Sequence, residues 1–419
     1  MAALPFGNLE AMKLLKWSVT QRSNSCHVKY LFTRKGSEED KLGEANDTRV
    51  IANVEVKVSR NNSNCSNRAY STQNYFREEV RKEPPWRVLF FGTDEFAVQS
   101  LRSLTASRHD CSDKIVESLE VVTLGKDLPV RRFANDNKLV VHDWPHVSPH
   151  GRFDVGVVVS FGCLLRESLI RQFPYGILNV HPSLLPRWRG PAPVFHTVLH
   201  GDTTTGVTIM QIRPKRFDVG PILNQEIYQV PEQSTADQLG ANLSSMGARL
   251  LIDTLKNLPE RIANGREQSK EGVTMAPKIS TDMSWVVWEE QTCDHISCLF
   301  RAIGSRIPLR TFWMGDVIKL LDFVGKVNVS ESEGNDAVPG SIRYQKESNT
   351  VLVRCKDGWV GFRALLLRKR LSAADFYNGY LHHYFVKSST CSTSTAFSRA
   401  NVPKLRTTPQ DVPSPTKTN

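Results

Sequence analysis

Short, wholly apolar runs alternating with helical segments are what most constrains this chain of 419 residues. Val88, Leu89, Phe90 and Phe91 form one such run. Gly92, Thr93 and Asp94 then turn the chain into a segment with Phe96, Leu101 and Leu104 on one helical face. Similar runs fall at residues 119–124, 154–160, 177–180 and 207–212, with helical stretches such as 166–173 and 194–200 between them. A strand that is apolar on both faces needs cover on both, and a mostly parallel, doubly wound sheet flanked by helices supplies it. The first turn lacks GxGxxG, so an ordinary dinucleotide site is not expected. Residues 234–259 read as the clearest helix, with Ser234 as its N-cap and Asp237 three positions on.

The texture changes near residue 282. Residues 284–288, 317–323, 340–344, 350–355 and 359–367 read as short strands, and Lys356-Asp357-Gly358 reads as a turn between two of them. A smaller, mainly β, barrel-like C-terminal domain follows from this pattern. The chain therefore divides into an N-terminal targeting or disordered segment (1–82), an α/β domain (83–281), a β-rich domain (282–387) and a disordered Ser/Thr/Pro-rich tail (388–419). Residues 11–36 contain no acid but repeated lysine and arginine, the composition of a mitochondrial import presequence. Arg68-Ala69-Tyr70-Ser71 resembles a processing site, and the acids Glu38, Glu39 and Asp40 depart from the pattern.

The formal charge of +11 and a pI near 9.3 favour contact with polyanions such as RNA. No apolar run approaches the roughly 20 residues a membrane helix needs, so no membrane association is expected. The 8 cysteines are scattered and form no CxxC or Cys/His zinc spacing, so reduced thiols and no metal are expected.

The chemistry concentrates after one buried strand. Asn179 and His181 alternate, so both side chains leave the same face of that strand at the carboxyl edge, where open α/β sheets bind ligands. A stiff loop follows: Ser183, Leu184, Leu185, Pro186, Arg187, Trp188, Arg189, Gly190. Asp218 sits in a later loop, shortly before Gly220. Taken singly, each polar residue is equally a turn former or a satisfied core group. Together an amide, an imidazole and a carboxylate suit acyl transfer, because the first two can hydrogen-bond an oxyanion and the third can orient or charge the imidazole.

The order and spacing of Asn179-Val180-His181, of Ser183 to Gly190, of Thr205-Gly206-Val207-Thr208 and of Asp218 resemble the folate-dependent formyltransferases. Within that family, Phe91 to Phe96, Pro186 to Pro193 and the second β domain resemble the methionyl-tRNA formyltransferases, over about residues 86–384. The resemblance implies Asn179, His181 and Asp218 as catalytic residues. It implies Ser183, Leu184, Leu185 and Pro186 along the tetrahydrofolate site, with residues 159–164 as another wall. The implied donor is 10-formyltetrahydrofolate and the acceptor initiator methionyl-tRNA, in the mitochondrial matrix, with the enzyme acting as a monomer. The β domain would hold the tRNA, through Arg363, Arg368, Lys369 and Arg370. One departure stands out: many members carry a longer loop after the second strand, whereas here Leu124 runs almost directly into Gly125 to Pro129. Other readings are a formyltransferase of a small amine, a folate hydrolase, and a catalytically silent RNA-binding relative.

Overall fold

A computed structural model describes residues 80–110, 113–125, 127–149, 151–329, 337–382 and 396–398, together with the backbone of three earlier strands. Those strands, β1 (Trp17–Ser23), β2 (Cys26–Thr33) and β3 (Asn53–Ser59), form an antiparallel sheet in the order β1-β2-β3 within a separate N-terminal unit. Strands were not expected before residue 83. Asn53–Ser59 alternates valine with polar residues, which is the two-residue period of a strand. Arg68 to Ser71 lies outside the described residues.

The second unit begins with a seven-stranded sheet. Its strands are β4 (Trp86–Gly92), β5 (Val116–Thr123), β6 (Val140–Asp143), β7 (Val155–Val159), β8 (Ile177–His181), β9 (Thr204–Gln211) and β10 (Ile222–Gln229), in the order β10-β9-β8-β7-β4-β5-β6. The five strands β6, β5, β4, β7 and β8 are mutually parallel, and β9 and β10 add on antiparallel. Every residue of β7 is buried, as a covered parallel strand requires. The helices are α1 (Glu95–Ser107), α2 (Pro129–Asp136), α3 (Glu167–Ile170), α4 (Pro193–Leu199), α5 (Ala236–Lys256) and α6 (Leu258–Ala263). The N-cap of α5 is Thr235, not Ser234. The Thr235 hydroxyl accepts from the Gln238 amide N–H while the Gln238 side-chain oxygen accepts from the Thr235 amide N–H. This reciprocal box satisfies two N–H groups at once, and Ser234 instead donates to the Pro231 carbonyl. At the amino edge of the sheet the fully buried Asp154 receives the Arg87 backbone and guanidinium, both at 2.8 Å.

The C-terminal region is built from α7 (Cys293–Ile303), β11 (Leu309–Trp313), β12 (Asp316–Val327), β13 (Ile342–Gln345), β14 (Thr350–Arg354), β15 (Trp359–Leu366), β16 (Arg370–Ser372) and α8 (Ala373–Phe376). The strand expected over 284–288 is instead a 3-10 turn, Thr281–Ser284, followed by a single bridge from Trp285 to Arg310. Trp285 stacks on Phe312 at 4.8 Å, and the fully buried Trp288 donates to Thr311, so the two indoles anchor this stretch as side chains rather than as a ladder. Helix α7 was not foreseen. Its Cys293, Ile296, Leu299, Ala302 and Ile303 are buried at helical spacing, and Thr292 caps it.

The sheet runs β11-β12-β15-β14-β13, with β16 on β15, which leaves β11 and β13 as free edges. Residues 396–398 lie across that gap. Phe312 of β11 exchanges backbone hydrogen bonds with Ser398, both at 3.1 Å, and the Phe397 amide N–H donates to Gly340, beside β13, at 2.8 Å. The tail was expected to be disordered from 388 onward. At these three residues that expectation is corrected, because closing the barrel satisfies two strand edges and buries the Phe397 ring against Trp288, Trp313 and Phe376. Phe397→Ala should cost about 3–5 kcal/mol, the usual range for emptying an aromatic site in a core. Denaturant unfolding measures this, and an unchanged midpoint would show that the plug contributes nothing.

Candidate active site

The β8 strand delivers Asn179 and His181 to the carboxyl edge of the sheet, and the turn between β9 and β10 brings Asp218 to meet them. The Asn179 amide donates to Asp218 Oδ1 at 3.1 Å. His181 Nδ1 stands 3.7 Å from the same oxygen, and His181 Nε2 lies 2.9 Å from the Trp188 carbonyl. Each ring nitrogen therefore faces an acceptor, so a doubly protonated imidazolium is matched on both sides. The other carboxylate oxygen, Asp218 Oδ2, accepts from the Gly190 amide N–H at 2.9 Å. The three residues singled out in the sequence thus meet at one point, with His181 buried and Asn179 half-buried.

Two backbone conformations make this possible. Asp218 is held at φ 53°, in the left-handed region that asparagine and aspartate enter more readily than bulkier residues. Gly190 has φ 121°, and a Cβ there would sit 2.7 Å from the Ala276 carbonyl oxygen, so no side chain fits. Gln268 was not anticipated. Its side-chain NH₂ donates to the carbonyls of Asp218 and Gly220 at 3.0 and 2.9 Å, and its side-chain oxygen accepts from the Arg189 guanidinium. It fastens the Asp218 turn to the loop after β8. Nothing local in the sequence marks a glutamine 50 residues from its target for that task.

The loop expected to line a folate site is placed, but much of it faces inward. Ser183 is fully buried, and its hydroxyl donates to the Arg187 carbonyl at 2.7 Å. Leu185 is buried with Met210 and Ile222. Leu184 and Pro186 are half-buried. Thr208 ties the loop down from β9, donating to the Ser183 carbonyl and accepting from the Leu185 amide N–H. Ser183 and Leu185 thus shape the loop from within. Exposed apolar side chains flank the trio along the chain. Leu164 follows β7, Phe217 precedes Asp218, and Met275 bridges Arg189. A cavity of about 580 Å³ adjoins His181 through Pro182, with Asp94, Phe96, Ser160, Pro191 and Phe195 among its walls. Burial raises the Asp94 carboxyl above its ordinary range, against the amide hydrogen bonds it accepts at the start of α1.

Residues 145–255 match the formyl transferase family model, and residues 278–381 match the model for the formyl transferase C-terminal domain. A mitochondrial methionyl-tRNA formyltransferase from Homo sapiens is 58% identical over 324 residues, covering 75% of this chain and 83% of that protein. The chain belongs to the methionyl-tRNA formyltransferase family. A methionyl-tRNA formyltransferase from Roseobacter denitrificans is 33% identical, over 70% of this chain and 95% of its own length. Among solved structures, an N-formyltransferase from Helicobacter canadensis, in complex with folinic acid and dTDP-3-aminofucose, aligns at 17% identity with a TM-score of 0.49, over 68% of this chain and 99% of that one. The two family models fall on either side of the loop that carries Gln268, and the first of them contains Asn179, His181 and Asp218.

The four basic residues expected to meet tRNA lie on β15, on β16 and in the turn between them. Arg363, Arg368, Lys369 and Arg370 are all exposed, and Arg370 pairs with Asp322 of β12 at 2.5 Å. Among the described residues, Arg363, Arg368 and Lys369 carry no ion pair within 4.0 Å.

Proposed function

We propose that Asn179, His181 and Asp218 carry the transfer of a formyl group from 10-formyltetrahydrofolate to the amino group of methionyl-tRNA. The chain is a methionyl-tRNA formyltransferase of mitochondrial translation initiation, like the mitochondrial relatives it matches at 56–58% identity. The observation that carries the residue assignment is the single Asp218 carboxylate shared by Asn179 and His181 at the sheet edge.

The folate co-substrate supplies an activated formyl carbon for attack by the neutral methionyl amine. The exposed apolar Leu164, Phe217 and Met275 fit a flat pterin ring at this edge. The second N–H of the Asn179 amide donates to the negative charge that develops on the formyl oxygen, and the His181 imidazolium, whose own N–H groups face Trp188 and Asp218, offsets that charge electrostatically. One such preorganised donor is worth about 3 kcal/mol. Asp218 stabilises the imidazolium and helps accept the proton the amine releases. The leaving N10 nitrogen takes up a proton as the old C–N bond breaks. The cavity beside His181 receives the aminoacyl end, with Phe96, Pro191 and Phe195 as apolar walls for the methionine side chain.

Incubation with 10-formyltetrahydrofolate and methionyl-tRNA should yield formylmethionyl-tRNA. His181→Ala should cut turnover by about two orders of magnitude or more, the scale of a general acid–base group, with the fold intact by circular dichroism. Wild-type turnover in a folded His181→Ala variant would remove His181 from the mechanism.

The exposed basic turn of the barrel would bind phosphates without reading sequence. Neutralising Arg363, Arg368 and Lys369 together should raise KM for methionyl-tRNA, flatten its salt dependence, and leave kcat and the folate KM nearly unchanged, since uniform binding alone is lost. Steady-state kinetics at two salt concentrations decide it. An unaltered tRNA KM and salt slope would place the tRNA elsewhere.

The basic N-terminal segment acts as the import signal into the matrix, and about 70 residues should be removed, as its presequence-like composition implies. N-terminal sequencing of protein isolated from mitochondria reads this directly, and a matrix form that retains Met1 contradicts it.

A further inference from the structure

Cys293 and Cys355 lie 62 residues apart in sequence, yet their sulfurs are 3.3 Å from one another. Cys293 is the first residue of α7 and Cys355 directly follows β14. Both are buried. A third group joins them: the carboxylate of Asp357, in the turn between β14 and β15, has Oδ1 3.6 Å from the Cys355 sulfur. Among the described residues this is the one cluster of three metal-ligating side chains, with all ligand atoms within 4.8 Å of one another.

We propose that Cys293, Cys355 and Asp357 form a binding site, open at its fourth position, for a thiophilic divalent cation of the zinc class, away from Asn179, His181 and Asp218. The thiols already have backbone acceptors, Cys293 at the Trp359 carbonyl (3.7 Å) and Cys355 at the Gly358 carbonyl (3.3 Å), so neither they nor a disulfide would need a carboxylate beside them. Two sulfurs and a carboxylate oxygen converging from two elements are the ligand set that a thiolate-binding, tetrahedral cation takes. Zinc–sulfur bonds of about 2.3 Å at a tetrahedral angle hold two sulfurs about 3.8 Å apart, so the pair need open only a few tenths of an ångström. The ligands are already oriented. Asp357 accepts from the Cys293 amide N–H at 2.8 Å, and the Cys355 amide N–H donates to the Gly358 carbonyl at 2.8 Å. Asp357 itself is exposed, which gives the ion a route in and leaves a position for water as fourth ligand. Binding releases the two thiol protons to solvent and changes no oxidation state. The site clamps the start of α7 to the β14–β15 hairpin. Since α7 reaches the catalytic domain through Arg301, which donates to the Ser234 carbonyl at 2.8 Å, the ion would stiffen the joint between barrel and sheet.

The probe is Co²⁺ added to the reduced, metal-stripped full-length chain. About one equivalent should bind with a thiolate-to-cobalt charge-transfer band. Zn²⁺ should displace it and raise Tm by several degrees over the chelator-treated chain. Cys293→Ser and Cys355→Ser should each abolish the band, whereas Cys298→Ser, which alters a thiol outside the cluster, should keep it. Should those serine variants not fold, the wild-type chain still answers. Zn²⁺ should protect two thiols from alkylation, and peptide mapping should place them at Cys293 and Cys355. Absence of the band, a band that survives in a folded Cys293→Ser chain, or protection mapping to other cysteines overturns the proposal. So does a Cys293–Cys355 disulfide in the purified chain that takes up no cobalt after reduction.

Discussion

Asp218 receives hydrogen bonds or charge from three directions at once: the Asn179 amide, the His181 ring and the Gly190 backbone. These come from a strand and from the loop that follows it, while Asp218 itself sits on a turn 39 residues beyond Asn179. A carboxylate can accept about four hydrogen bonds, so one side chain can serve as the junction of several segments. The arrangement is demanding because a polar group at a half-buried edge is stable only when its acceptor sites are filled.

Holding a carboxylate in that place is a backbone problem first. Asp218 occupies a left-handed conformation, and the glycine that contacts it lies at φ 121° against the Ala276 carbonyl. The Asp218 conformation is locally unfavourable by an amount on the order of 1 kcal/mol or more and persists because the surroundings over-determine it, whereas the Gly190 conformation is open to glycine and closed to any side chain. Gln268 is the clearest source of that determination. It spends both amide protons on the Asp218 turn and its oxygen on Arg189. The segment between α6 and α7 is therefore a brace for the site as well as a link between domains.

This explains which parts were legible in the sequence. The parallel strands were, because their apolar runs answer to burial on two faces, and the trio was, because strand alternation places Asn179 and His181 together. Gln268 was not, since its role depends on a loop folding back across the sheet edge, and no periodicity encodes that return. Phe397 was hidden for a related reason: one aromatic residue in a Ser- and Thr-rich tail carries no pattern, and only the open edges of β11 and β13 give it a place. Helix α7 is a different case. The spacing of Cys293, Ile296, Leu299 and Ile303 is helical, and Thr292 is a proper cap, but the surrounding strand-like texture masked a signal that was present. The cap of α5 was displaced by one residue because Thr235 finds a partner in Gln238 that Ser234 lacks.

A small barrel can serve a site on the sheet edge only if the two keep a fixed relation. Between them α7 packs chiefly on α4, and polar contacts fasten its end to the start of α5. Arg301 binds the Ser234 carbonyl, and Ser305 and Arg306 both bind the Asp237 carboxylate, whose hydrogen bonds to those two groups hold it below the usual range. Asp237 lies in the first turn of α5, where a carboxylate is already favoured by the helix dipole. Arg306 also sits over the Phe195 ring at 4.8 Å, and both line the cavity beside His181. The joint with the barrel and the wall of that cavity are therefore built from the same side chains. A shift of the barrel would move Arg306, and with it Phe195 on α4, the helix that leaves the catalytic loop. Exposed ion pairs of this kind contribute little stability individually. Their value here is positional, since a displacement of 1 Å at the reacting atoms can cost about a hundredfold in rate.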